Sequence, residues 1–232
     1  MKVALINGQN HKGSSYNTGK ILALKLTSEE DIFEIFLPKD FDKYCMGCNS
    51  CFMKSERLCP HYELIHPIDE IMKKCDVLIF TTPTYVFHMS GQLKGFLDHF
   101  GYRWIVHRPE AIMFKKQAVC ISTAAGMGTK KAVKGIKDSL FFWGISKIYT
   151  LGINVYSVTW NDVSEKVKEK IDKKTDKTAR KILKNVGKTK PTIKTKLWFY
   201  GVRMLQKKGG LNKVDNEYWN MKGYTKDKRP WL

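Results

Sequence analysis

The sequence predicts an α/β fold, a doubly wound parallel sheet of five strands followed by a basic C-terminal extension. Three observations predict it. Five short apolar segments alternate with segments whose apolar residues recur at helical spacing. Polar loops follow the first, third and fourth apolar segments, the edge at which such sheets bind ligands. The composition, 43% hydrophobic and 12% aromatic in 232 residues, suits one globular unit with an appendage. We place the main unit at 1–190 and the helical or irregular extension at 191–232, with a break at Gly187–Pro191.

The first strand spans Lys2–Ile6 and leads into N-G-Q-N-H-K-G-S-S-Y-N-T. Its short apolar run reads as a buried strand, not a signal peptide, and a cytoplasmic location is expected. A helix carrying Ile21, Leu22, Leu24 and Leu26 follows, with Ser14 or Ser15 as its N-cap. Ile32–Leu37 is the second strand, and a cysteine-rich loop follows Pro38. Ile65, Ile68, Ile71, Met72 and Cys75 mark the next helix. Asp76–Thr82 is a continuous apolar run, as in a central parallel strand. Leu93, Phe96, Leu97 and Phe100 mark a helix, Gln117–Ser122 the fourth strand, and Ala132 to Trp143 another helix. Lys147–Val155 is the fifth strand. Val163 to Val186 forms a long helix with a lysine-covered face. Within the extension, Leu197–Leu205 is amphipathic and the end is polar and aromatic.

The formal charge of +19 is uneven, with 21 Lys/Arg against 8 Asp/Glu from Trp160 onward. An anionic partner, nucleic acid or an acidic protein responds to such a field, but solvated helix faces carry charge runs too. Trp198, Phe199 and Tyr200 lie among these cations at spacing that suits a helix packing seam. No apolar run reaches the ~18–20 residues of a membrane span.

The loop after the first strand faces a helix N-terminus. Its free N–H groups, the dipole and the hydroxyls of Ser14, Ser15 and Thr18 make an anion pocket. The Walker pattern fails because Ser14 stands where lysine is required, and the G-x-G-x-x-G pattern is absent. Pro83-Thr84-Tyr85-Val86-Phe87 stiffens the third strand's exit and offers amides and a ring to a planar heterocycle. The small residues of Ser122-Thr123-Ala124-Ala125-Gly126-Met127-Gly128 let backbone approach a ligand closely.

Cys45, Cys48, Cys51 and Cys59 form C-x₂-C-x₂-C-x₇-C. Three thiolates at this spacing on one loop suit three corners of a [4Fe–4S] cluster, and Cys59 would be the fourth ligand. Zinc, with His61 as a ligand, is the alternative, as is a metal-free loop. Cys75 and Cys120 lie in apolar segments and read as inert core thiols. His88 and His99 are expected near the ligand face.

Taken together, N-G-Q-N-H-K-G-S-S-Y-N-T, the cysteine loop and T-T-P-T-Y-V-F-H-M-S-G-Q-L-K-G-F-L-D resemble the NADPH-dependent FMN reductases of flavodoxin-like fold. The pattern P-x-Y-x₄-S-x-x-L-K-x-F-x-D is the most specific part, and the cysteine motif is similar to the iron–sulfur flavoproteins of that superfamily. The similarity spans about residues 1–155, with a softer match at D-N-E-Y-W-N-M-K-G-Y. It implies strand order 2-1-3-4-5 and non-covalent FMN. The phosphate would lie on Asn10, His11, Gly13, Ser14, Ser15, Asn17 and Thr18. The ring would lie against Pro83, Thr84, Tyr85, Val86, Phe87, Thr123, Ala124, Ala125 and Gly126. It further implies NAD(P)H as reductant and a dimer or tetramer. The acceptor would be a quinone, nitro compound, free flavin or protein, the last an acidic carrier such as ferredoxin. Gln9-Asn10 departs from the Ser-Pro frequent in relatives, and His99 stands where arginine is common. A flavodoxin-like electron carrier without turnover and a basic nucleic-acid-binding module are the competing readings.

Overall fold

The computed structural model describes residues 1–232. Its sheet holds β1 (Val3–Asn7), β2 (Ile32–Phe36), β3 (Val77–Pro83), β4 (Gln117–Ala124) and β5 (Lys147–Asn154). All four pairings are parallel, in the order β2-β1-β3-β4-β5. This is the flavodoxin-like order, with the reversal beside β1 and β3 where ligands bind.

Alternation along the strands sorts the core into two layers. Ala4, Ile6, Leu78, Phe80, Ala118 and Cys120 face one way. They meet α3 (Tyr62–Lys74), α4 (Gly91–Asp98) and α5 (Thr129–Phe142). Val3, Leu5, Val77, Ile79, Val119 and Ile121 face the other way, toward α1 (Ser14–Leu24) and α6 (Glu165–Asn185). Central strands covered on both faces must be apolar throughout, which is why β1 and β4 are buried at every residue.

Several boundaries differ from the sequence reading. Pro83, Thr123 and Ala124, expected in exit loops, end β3 and β4, with Pro83 in register with Thr123. Ser14 and Ser15 are not N-caps. Gly13 holds the cap position in extended conformation without a side-chain bond, and both serines are buried in the first turn. Their hydroxyls are thereby freed for other partners.

The chain after α6 forms two helices where one amphipathic segment was expected. They are α7 (Ile193–Lys207) and α8 (Lys213–Met221). Asn212 caps α8, its side chain accepting the Asp215 N–H. Phe199, Val202, Trp219 and Tyr224 form a small core with Ile105 and Phe114, which precede β4. The aromatic chain end therefore buries rings against the sheet unit.

Candidate active site and cysteine centre

Three loops converge beyond the carboxyl ends of β1, β3 and β4. Ser15 Oγ and Thr123 Oγ1 share a buried hydrogen bond of 2.6 Å, joining the first loop to the end of β4. Thr84 bonds β4 twice, through its hydroxyl to Ser122 at 2.8 Å and through its N–H to the Thr123 carbonyl at 2.8 Å. The Tyr85 hydroxyl donates to Gln9 Oε1 at 3.4 Å, and the Ser90 hydroxyl donates to the Gly8 carbonyl. The loops are thus tied to one another, a preformed arrangement in which only the inner hydroxyls are buried.

At the α1 end, the first-turn N–H groups have no carbonyl one turn back. No acidic residue lies in that turn, so the dipole's positive end is uncompensated. Asn17 braces the loop, donating to the carbonyls of Lys12 at 2.9 Å and Gly13 at 3.0 Å. Thr18, expected to face a ligand, is fully buried and donates to the Ser14 carbonyl at 2.8 Å. Asn10 and His11 are exposed at the loop's tip.

The second loop closes as a tight turn, in which Tyr85 and His88 exchange backbone bonds of 2.9 Å. Val86 and Phe87 both take positive φ, 48° and 68°. For a β-branched residue this conformation costs free energy and persists only where neighbours hold it. It leaves Tyr85, Val86 and Phe87 exposed, with Phe87 close against Gly128, which follows the exposed Ala125–Met127 turn. A β-carbon on Gly126 would meet nothing within 4 Å. Exposed aromatic and small residues thus lie at this edge beside a buried hydroxyl pair.

The cysteine loop leaves β2 at the same edge and then turns away from it. Phe41 is buried with its ring 4.9 Å from that of His99, and Tyr44 lies across Gly95 in the middle of α4. Gly47 and Asn49 take positive φ, 68° and 58°, folding the chain back into a short helix, α2 (Ser50–Met53). Phe52 reaches Gly101 beyond the end of α4. The cysteines therefore lie beside the far end of α4, a helix of eight residues and so about 12 Å long.

All four cysteines are free thiols, and with His61 and His99 they line one small cavity. Burial and the neighbouring Cys59, Cys45 and Cys48 push the Cys51 thiol up; burial, opposed by a hydrogen bond from the backbone of His61, pushes Cys59 up. Exposed Cys48 is held below its ordinary value by the Ser50 backbone and hydroxyl. Four thiols close enough to repel one another's charge are a soft donor set that fits an iron–sulfur cluster.

His99, expected near the ligand face, sits in this centre instead. Burial pushes its imidazole pKa down, against its bond to the Gly95 carbonyl at 2.7 Å. His61 Nδ1 and His99 Nε2 are 2.9 Å apart. Cys59, His61 and His99 offer donor atoms within 4.8 Å of one another, but the two rings already satisfy each other. His99 was unreadable as a neighbour of the cysteines because only α4's path brings it there. The partners of Gln9 and Ser122 were not readable either, since Tyr85 and Thr84 meet them only once the third strand's exit folds against both.

A family model described as NADPH-dependent FMN reductase matches residues 1–159. Among curated proteins, one named iron-sulfur flavoprotein from Archaeoglobus fulgidus is 24% identical over 215 residues, covering 90% of this chain and 93% of that one. One named putative NAD(P)H-dependent FMN-containing oxidoreductase YwqN, from Bacillus subtilis, is 32% identical over 166 residues, covering 66% and 84%. Among solved structures, azoreductase AzrA superposes with a TM-score of 0.58 at 14% identity, covering 78% of this chain and 100% of that one. NAD(P)H:quinone oxidoreductase from Methanothermobacter marburgensis does so at 0.56 and 17%, covering 78% and 96%; both likenesses concern the fold. With the family model spanning more than half of the sequence and the loop geometry above, the chain belongs to the NADPH-dependent FMN reductases, a family of FMN-dependent NAD(P)H oxidoreductases.

Proposed function

We propose that this chain passes electrons from NAD(P)H, through FMN, to an acceptor by way of a [4Fe–4S] centre held by Cys45, Cys48, Cys51 and Cys59. The single observation that carries the finer reading is the convergence of four free thiols on one cavity, with no carboxylate lining it. The curated relatives named iron-sulfur flavoprotein support it.

FMN supplies the conversion of a two-electron hydride into single electrons; the chain's residues supply place and field. The first-turn N–H groups of α1 would take the phosphate, with the Ser14 and Ser15 hydroxyls and Asn17 shaping the loop around it. Pro83–Phe87 on one side and Thr123–Gly126 on the other would border the ring. The bonds of Thr84 to Ser122 and to the Thr123 carbonyl keep the two borders at fixed separation, and the buried Ser15–Thr123 bond ties them to the phosphate loop. The strained Tyr85–His88 turn presents Tyr85 and Phe87 outward, where a nicotinamide or a flat acceptor such as a quinone or nitro compound can stack. A dimer or tetramer, with the flavin near the subunit boundary, accounts for the exposure of Val86 and Tyr156 beside this edge.

The test is anaerobic purification, reconstitution with FMN, and assay of iron, sulfide and zinc. The expected result is a two-band flavin spectrum, about four irons per chain and oxidation of NAD(P)H with a quinone. Absence of bound flavin after reconstitution overturns the reading as a whole. Zinc without sulfide overturns the cluster alone, and bound flavin without NAD(P)H oxidation favours a carrier without turnover.

A further inference from the structure

The C-terminal helix grips the cysteine loop through a buried charge pair. Asp215, in the first turn of α8, is fully buried. One of its oxygens accepts from Arg108 Nη1 at 2.7 Å; the other lies 2.7 Å from His107 Nδ1 and accepts from Asn212 Nδ2 at 2.7 Å. Two further side chains of α8 hold the same segment. The Tyr218 hydroxyl donates to the Pro109 carbonyl at 2.7 Å, and Trp219 Nε1 donates to the His107 carbonyl at 2.6 Å.

Arg108 is nearly as buried, 6% exposed, and extends from this grip into the cysteine loop. Nη2 donates to the Cys51 carbonyl, Nη1 reaches the Phe52 carbonyl at 3.4 Å, and Glu56 is 3.7 Å away. The Phe52 ring meets His107 edge-on at 4.7 Å. The guanidinium fork is thus shared between a carboxylate on α8 and two carbonyls of the short α2, beside a thiol that points into the candidate metal cavity. Lysine, with one nitrogen, cannot occupy all three positions together.

We infer that Asp215 and Arg108 are positioning residues for Cys51: the chain's last helix acts through Arg108 to fix the backbone from which this thiol enters the four-cysteine cavity. The inference takes from the proposed function only the identity of the four cysteines. Its test reads the metal-free thiols, so failure of the flavin or cluster reading leaves it decidable.

The experiment compares full-length wild type, Arg108→Lys and Asp215→Asn, each as purified and then stripped of metal. Iodoacetamide modification of every cysteine is timed by peptide mass spectrometry. In both variants Cys51 is expected to react about tenfold faster, the equivalent of one charge-assisted bond lost from the loop. Cys75 and Cys120, in the core, should keep their wild-type rates. If one variant fails to fold, the other decides. Cys51 rates within twofold of wild type overturn the inference. So does equal acceleration of Cys75 and Cys120, which would assign the pair to the fold at large. In chains reconstituted with iron and sulfide, Arg108→Lys should also retain less iron through gel filtration than wild type does.

Discussion

Cys48 and Cys51 are three residues apart and are set up for opposite behaviour. Cys48 is exposed, and hydrogen bonds from Ser50 favour its thiolate. Cys51 is half-buried among other thiols, which disfavours its thiolate. In the metal-free chain, Cys48 is expected to be the first of the four to be alkylated. Its lead over Cys51 and Cys59 should be greatest near pH 7 and shrink toward pH 10, as the raised thiols ionise. Peptide-mapped iodoacetamide rates across that range check this, and a Cys51 rate equal to that of Cys48 at pH 7 would contradict it. The spacing of the cysteines was legible because three thiols on one short loop can reach a common centre whatever surrounds them. Their individual acidities were not, because these depend on the turn at Gly47–Asn49 and on which sulfurs end up facing one another. The same holds for Ser14 and Ser15. Their hydroxyls advertised a polar loop, but the backbone at Gly13 puts both inside the first turn, where neither caps the helix and Ser15 reaches across to Thr123.

Among the elements, the strands and flanking helices were readable because each buries a face with a distinct period, two for the sheet and 3.6 for the helices. The junction of α3, α4 and α5 was not. There Arg103 is fully buried, stacked 4.8 Å from the Phe100 ring centre and 5.5 Å from that of Trp143. It pairs with Asp69 of α3 and, at 2.9 Å, with Glu110. Burial alone would raise the Asp69 carboxyl; Arg103 and Lys73 outweigh it and hold the group below its ordinary value. A depressed carboxylate contributes stability above its unfolded value, near pH 4, and loses it as pH falls through the folded value. Asp69→Asn is therefore expected to cost about 1.5–3 kcal/mol at pH 7, since it removes one charged partner from a buried guanidinium that keeps Glu110. The penalty should shrink as pH falls below 4 toward the folded value, through which wild type also loses the charge. Urea unfolding at the two pH values measures it, and an equal penalty at both would exclude the charge as its source.

Across the whole molecule, the charge of +19 is concentrated in the last third of the chain, on α6, α7 and α8 and their connections. No helix is long and apolar enough to cross a membrane. A field of one sign raises encounter rates with an oppositely charged partner and is screened beyond about 8 Å at physiological salt. If a small acidic one-electron carrier is the acceptor, its reduction by this enzyme should slow about tenfold or more between 20 mM and 300 mM salt. Reduction of a neutral quinone should change little. Stopped-flow rates for both acceptors test this, and parallel salt curves would remove the basic surface from the acceptor's docking. The composition made this field legible. It did not reveal that the most basic part of the chain also supplies an acid, Asp215, to the protein's interior.

That buried carboxylate has a consequence in time. Asp215 and Arg108 are 107 residues apart, and the cysteines come earlier still. At about 5–20 residues per second of synthesis, the loop emerges on the order of ten seconds before the helix that closes on it. During that interval the thiols hang on an unbraced segment, open to iron delivery and to oxidation alike. Emergence of α8 would then mark the moment at which the loop stops being a receptive segment and becomes a finished socket.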